Sequence, residues 1–228
     1  MSPDAALRRS WARALVWVLL AAGLGACGGD KKNNPAGASN EALDFVSEHN
    51  ASRNDGRTVR WANLPIRVFL NGVAGEEEVT EWTRASGGLV TFTFVGSRSG
   101  ADIVISFGSL PDDICGETRI TFRRDSGELQ APVEISINRA IFRQRNCVGG
   151  RTVTHEIGHA IGFFGHTDDG GLMDEKGLSG EITGPVADMI RALYSLAPGT
   201  TIRQRAQSAN ARPSGGTGSI VIIDRIAR

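Results

Sequence analysis

The hydrophobic pattern along the chain changes period several times, and each change predicts an element. Residues 41 to 50 place Leu43, Phe45 and Val46 in a helix-compatible order, with His49 at the end. Pro65 to Leu70 alternates well enough for a strand, and Asn71-Gly72 marks its end. Gly75 to Ala85 suits an amphipathic helix: Glu76, Glu77 and Glu78 in the first turn complement the helix dipole, and Val79 and Trp82 supply the apolar face. Leu89 to Val95 and Ala101 to Phe107 are rich in β-branched and aromatic residues and read as strands. Residues 108 to 130 read as loop around one short strand, Arg119 to Phe122. Val133 to Asn138 then alternates strictly, as an edge or half-buried strand does. A helix beginning between Asn146 and Arg151 carries Val153, Ile157, Ile161 and Phe164 as its apolar stripe, and Pro185 to Leu196 forms another, stopped by Pro198-Gly199. Strands and helices in this order predict an α+β fold.

The first 27 residues follow other rules. Arg8, Arg9 and Arg13 precede an apolar run from Ala14 to Leu24, about half the roughly 20 residues a membrane span requires, so this is a signal peptide rather than a permanent anchor. The run ends in Leu24-Gly25-Ala26-Cys27, which resembles the lipobox of bacterial lipoproteins. The resemblance implies cleavage before Cys27, a lipid on that residue, attachment to a membrane and, with Gly28 following, export to the outer membrane. The chain then divides into a signal peptide (1–26), a small, polar, flexible tether (27–40), a folded domain (41–198) and a C-terminal tail (199–228). The tail holds several arginines and a strand-like stretch from Ser219 to Asp224, and its pattern favours a mobile or loosely docked segment over a binding arm.

Charge excludes one class of partner. The 228 residues carry 25 basic and 25 acidic side chains, and the signal peptide removes three Arg and one Asp. The remainder is near neutral, and no basic patch interleaved with aromatics suggests nucleic acid. Nothing in the pattern indicates an oligomer. Cys115 and Cys147 form an even pair in an oxidising compartment, which favours a disulfide over two buried thiols.

The chemistry concentrates between residues 155 and 166, His-Glu-Ile-Gly-His-Ala-Ile-Gly-Phe-Phe-Gly-His. On a helix, His155 and His159 lie on one face, about 6 Å apart along the axis, where two imidazoles can share one metal ion. Glu156 can take a proton from a metal-activated water without ligating the ion. A straight helix would carry residue 166 about 10 Å past His159, so a third ligand at His166 requires the chain to turn back at Gly162, which tolerates a left-handed conformation. An acidic third ligand from Asp168, Asp169, Glu175 or Glu181 is the competing arrangement. His49 reads as an exposed histidine at a helix C-terminus rather than a fourth ligand. A non-catalytic, zinc-stabilised binding or adhesion lipoprotein is the competing class, although a structural site has no use for a base at Glu156.

HExxHxxG followed by a histidine and then Met173 resembles the metzincin zinc endopeptidases. Leu64 to Val68, Ala101 to Ile105 and Asp188 to Tyr194 resemble the first strand, a later strand and the closing helix of the matrixin-like branch. The resemblance implies a zincin-like domain: a twisted mixed sheet, an active-site helix, a methionine turn and a C-terminal helix. It also implies one catalytic Zn2+ on His155, His159 and His166, Glu156 as general base, Met173 beneath the metal, and a peptide or protein substrate. The sequence departs from the usual signature at Gly165, where the third ligand normally stands. The histidine comes one residue later, and Gly165 absorbs the addition as a local bulge. No tyrosine follows Met173 closely, so the tyrosine ligand of some relatives has no counterpart, and residues 28 to 60 offer no cysteine to block the metal. Val133 to Asn138 is the candidate cleft edge, where an extended substrate would pair by main-chain hydrogen bonds.

Overall fold

The computed structural model describes residues 37–177, 179–202 and 215–225. The signal peptide, Cys27 and most of the tether lie outside them. Among the described residues no helix is long and apolar enough to cross a membrane. The described residues form an α+β fold, with four α-helices and one mixed six-stranded sheet among them.

The helices are α1 (Asn40–His49), α2 (Glu76–Ala85), α3 (Thr152–Ala160) and α4 (Gly184–Ser195). The strands are β1 (Ile66–Asn71), β2 (Phe92–Phe94), β3 (Ile103–Gly108), β4 (Ile114–Arg123), β5 (Leu129–Asn138) and β6 (Thr217–Arg225), in the order β2-β1-β3-β5-β4-β6. The first four in this order are parallel, whereas β4 runs antiparallel to β5 and β6 antiparallel to β4.

Side chains alternate across a sheet, so residues paired between strands share a face. One such row runs Leu70, Ile105, Ile135, Thr118, Ile222. Four of the five are aliphatic, and the exception, Thr118, is fully buried. α3 packs against β4 and β5 and against α2, while α1 packs against α4. Ser39 caps α1 by accepting from the Ala42 N–H at 3.1 Å.

Three expectations need correction. Val133 to Asn138 is not a cleft edge: it forms the second half of β5, hydrogen-bonded to β3 on one side and β4 on the other. Residues 108 to 130 are not mainly loop, because β4 spans ten of them and the ends of β3 and β5 take Gly108, Leu129 and Gln130. The tail is not loosely docked throughout, since β6 pairs with β4 from Thr217 opposite Arg123 to Arg225 opposite Ile114. Two boundaries also move: the strand expected over Leu89 to Val95 contracts to β2, and the strand over Val133 to Asn138 starts earlier, at Leu129.

Candidate metal centre

Every residue of α3 is buried. At its start, Arg151 forms an ion pair with Glu81 of α2 and donates to the Gly180 carbonyl. The Trp82 indole donates to the Thr154 carbonyl at 2.8 Å. Trp82 also fixes how close the helix lies to its neighbours. A Cβ on Gly158 would fall 2.6 Å from Met173 Sδ and 2.7 Å from Trp82 Cζ2. Met173 therefore seats directly against the turn of α3 between the two histidines, and is itself fully buried.

The end of α3 explains how the chain reverses. Gly162 N–H donates to His159 at 3.0 Å and Phe163 N–H to Gly158 at 3.0 Å, the paired bonds of a Schellman termination, with Gly162 at φ 120°. Space imposes glycine as well, because a Cβ there would lie 2.8 Å from Leu193 Cδ2. A helix end leaves carbonyls without helical partners, and here side chains from distant parts of the chain take them in turn. Trp61 Nε1 donates to Ala160 at 2.9 Å, the Tyr194 hydroxyl to Ile161 at 3.0 Å, and Asn50 Nδ2 to Gly162 at 2.7 Å. Burial pushes the Tyr194 phenol well above its ordinary value, so it remains a donor. Phe163 and Phe164 anchor the turn in the core. The chain then returns, and Thr167 N–H bonds to the Met173 carbonyl at 2.8 Å.

This reversal brings His155, His159 and His166 together: one ring nitrogen from each lies within 4.8 Å of the others. The Nε2 atoms of His155 and His159 are 3.0 Å apart, near the roughly 3.3 Å expected of two nitrogens on one tetrahedral ion with bonds of about 2.0–2.1 Å. Their opposite nitrogens face carbonyls. His155 Nδ1 meets the Leu172 carbonyl, and His159 Nδ1 meets that of Phe163 at 2.6 Å. Donation from each Nδ1–H places the lone pair on Nε2, the tautomer a metal requires. The His166 ring stacks on that of His155, with centroids 5.3 Å apart. These three histidines are placed to hold a metal ion. The described residues contain no group of this kind with a carboxylate among its members. Asp169 instead accepts from Thr167, Thr183 and the Gly171 N–H, and Asp174 from the N–H groups of Gly170 and Lys176.

Glu156 is fully buried beside the histidines and reaches toward β4, where the Thr118 hydroxyl donates to its Oε2. Gly116, two residues away on the same face, leaves room for the carboxylate, since a Cβ there would overlap Glu156 Oε1. A disulfide between Cys115 and Cys147, Cα atoms 5.5 Å apart, ties this stretch of β4 to the segment leading into α3. Neither Thr118 nor Gly116 stands out in the sequence. The alternation from Glu117 to Arg123 was the available signal for a longer β4, but it does not point to Glu156.

His49 also differs from expectation. It is buried, not exposed, and stacks on Phe163 with ring centroids 4.7 Å apart. Burial holds its imidazole below the ordinary value, against the pull of Glu48. It stands behind the metal-binding loop rather than in it. Gly165 does not adopt a positive φ; its lack of a side chain serves His49, whose Nδ1 would lie 3.2 Å from a Cβ at that position.

Comparison of the chain with models of known protein families found no match, and comparison with characterised proteins found none at a significant level.

Proposed function

We propose that the chain is a zinc-dependent endopeptidase with a zincin-like domain of the metzincin type, exported as a lipoprotein tethered through Cys27 to the outer membrane. The observation that carries this reading is the convergence of three histidines beside a buried carboxylate that a β4 hydroxyl orients. His155, His159 and His166 would hold the ion. A zinc ion held there would supply a Lewis acid that acidifies a water and polarises an amide carbonyl. Glu156 accepts the proton of the attacking water and passes it to the departing amine. Thr118 keeps the carboxylate oriented by donating to Oε2, and Gly116 keeps β4 close without crowding it. Met173 sets the floor of the site through its contact with α3. The strand bordering Glu156 is β4, so an extended peptide would reach the site along that strand rather than along β5.

Cleavage of unfolded casein, abolished by chelator and restored by zinc, is the expected activity. Glu156→Ala should lose it by at least about a hundredfold, in keeping with removal of a general base, while retaining the metal. A Glu156→Ala protein as active as the parent would refute the peptidase reading.

A further inference from the structure

The outer edge of β4 is already occupied. β6 covers it along its whole length, with Ile223 opposite Glu117 and Ile222 opposite Thr118, beside the stretch that touches Glu156. We infer that this C-terminal strand is a built-in competitor for the edge along which an extended peptide must lie, so that the chain limits access to its own site. The inference rests on the peptidase reading of that site.

Backbone geometry makes the competition obligatory. A strand presents a single outer row of N–H and C=O groups, and a peptide cannot pair with that row while another strand holds it. β6 also presents side chains as a bound peptide would. Ile222 shares the face of Thr118, toward α3, and is buried, whereas Val221 and Ile223 point away and are 48% and 41% exposed. Gly218 lies opposite Phe122, and a Cβ there would overlap the aromatic ring. The strand that fits this edge therefore has a small residue over Phe122 and an aliphatic one, four residues on, beside Thr118.

Chain order supports the same conclusion. The five strands from β2 to β4 and all four helices precede residue 196, and β6 is added to the edge afterwards, beyond residues 203–214. No parallel strand depends on β6 for its hydrogen bonds. A strand on the same chain competes as an intramolecular partner, at a concentration that does not fall when the protein is diluted.

The test compares three forms of the protein: the full chain, a chain ending at Pro213, and a full chain carrying Arg119→Cys and Val221→Cys, which oxidation locks at a registered pair on the outward face. The chain ending at Pro213 should cleave casein faster, by on the order of tenfold. A synthetic peptide of residues 215–228 should slow it in competition with substrate, and the locked chain should be slower than its parent until the clamp is reduced. A folded truncated chain that is no faster, or that the peptide accelerates, makes β6 a structural strand and overturns the inference. So does a locked chain with undiminished turnover, which decides the matter alone if the truncated chain does not fold. Binding separates this outcome from the fate of the peptidase reading. In a Glu156→Ala background, labelled casein peptides should bind the truncated chain at least about tenfold more tightly than the full chain, and equal binding overturns the inference. If binding differs as expected but no form with Glu156 cleaves casein, the peptidase reading falls and the occupied edge stands.

Discussion

His155 and His159 are placed by one kind of structure and His166 by another. The first two sit on a buried helix four residues apart, each ring fixed by a carbonyl behind it. His166 lies beyond the helix, half-buried, on a segment whose path is set by Gly162, by the two phenylalanines and by the side chains that take the carbonyls of Ala160, Ile161 and Gly162. The helix pair is thus preorganised by secondary structure, and the third position by tertiary contacts contributed by α1, α4 and the segment around Trp61. Damage to the reversal should reach the metal first through His166, and reach His159 only by way of the Phe163 carbonyl behind its ring.

Substitutions can sharpen that contrast. The largest effect belongs to the ligands: His155→Ala and His159→Ala should each abolish stoichiometric zinc. His166→Ala should lower affinity by more than the roughly 10–100-fold that loss of an outer-shell partner costs, yet leave weak binding by the helix pair. Zinc titration of the three variants checks this, and full affinity in His166→Ala would remove it from the ligand set. Gly162→Ala comes next. A positive φ and a close approach to Leu193 should cost about 1–3 kcal/mol, lowering Tm by roughly 2–12 °C for a domain of this size. The zinc affinity of this variant should move toward that of His166→Ala. If Gly162→Ala loses zinc as completely as His155→Ala, the two parts of the site are not separable.

Tyr194→Phe is milder. It takes the hydroxyl from the Ile161 carbonyl and should cost about 1 kcal/mol, visible as a lower Tm with zinc affinity largely kept. Asp169 should give the smallest change. Burial raises its carboxyl, but hydrogen bonds from Thr183, Thr167 and the Gly171 N–H outweigh this and hold it below its ordinary value of 3.8. A carboxyl lowered in the folded state adds stability above its unfolded pKa, and that stability disappears as pH falls through the folded value. Much of Asp169 is exposed, so its share is small. Asp169→Asn should slightly lower Tm near neutrality and flatten its decline below about pH 4. An unchanged acid limb would remove Asp169 from the forces that hold the loop.

The contrast also shows what a sequence makes legible. Helical spacing gives the relation of His155 to His159 directly, and the presence of Gly162 gives the reversal its location. The position of His166 could be stated only as a requirement, because the groups that hold the turn, Asn50, Trp61 and Tyr194, are scattered along the chain and look like ordinary core or loop residues. In the sheet, alternation announced β1 and β5, and β-branched content β3, but neither gave their order. Whether a strand is interior or at an edge depends on partners far away in sequence, and β5 alternates although it is paired on both sides. Thr118 was hidden for the same reason. A threonine in an alternating strand is unremarkable until the register sets it in an aliphatic row facing a carboxylate. His49 escaped because the ring that buries it, Phe163, is over a hundred residues away.

The two indoles bonded to α3 have a practical consequence. The chain has four tryptophans, and two of them, Trp11 and Trp17, belong to the segment read as a signal peptide. Once that segment is cleaved, tryptophan emission comes only from Trp61, bonded to Ala160 at the last residue of α3, and Trp82, bonded to Thr154 near its first turn. The mature protein would then carry its own optical gauge of the helix that presents His155 and His159, readable at micromolar concentration without any added label.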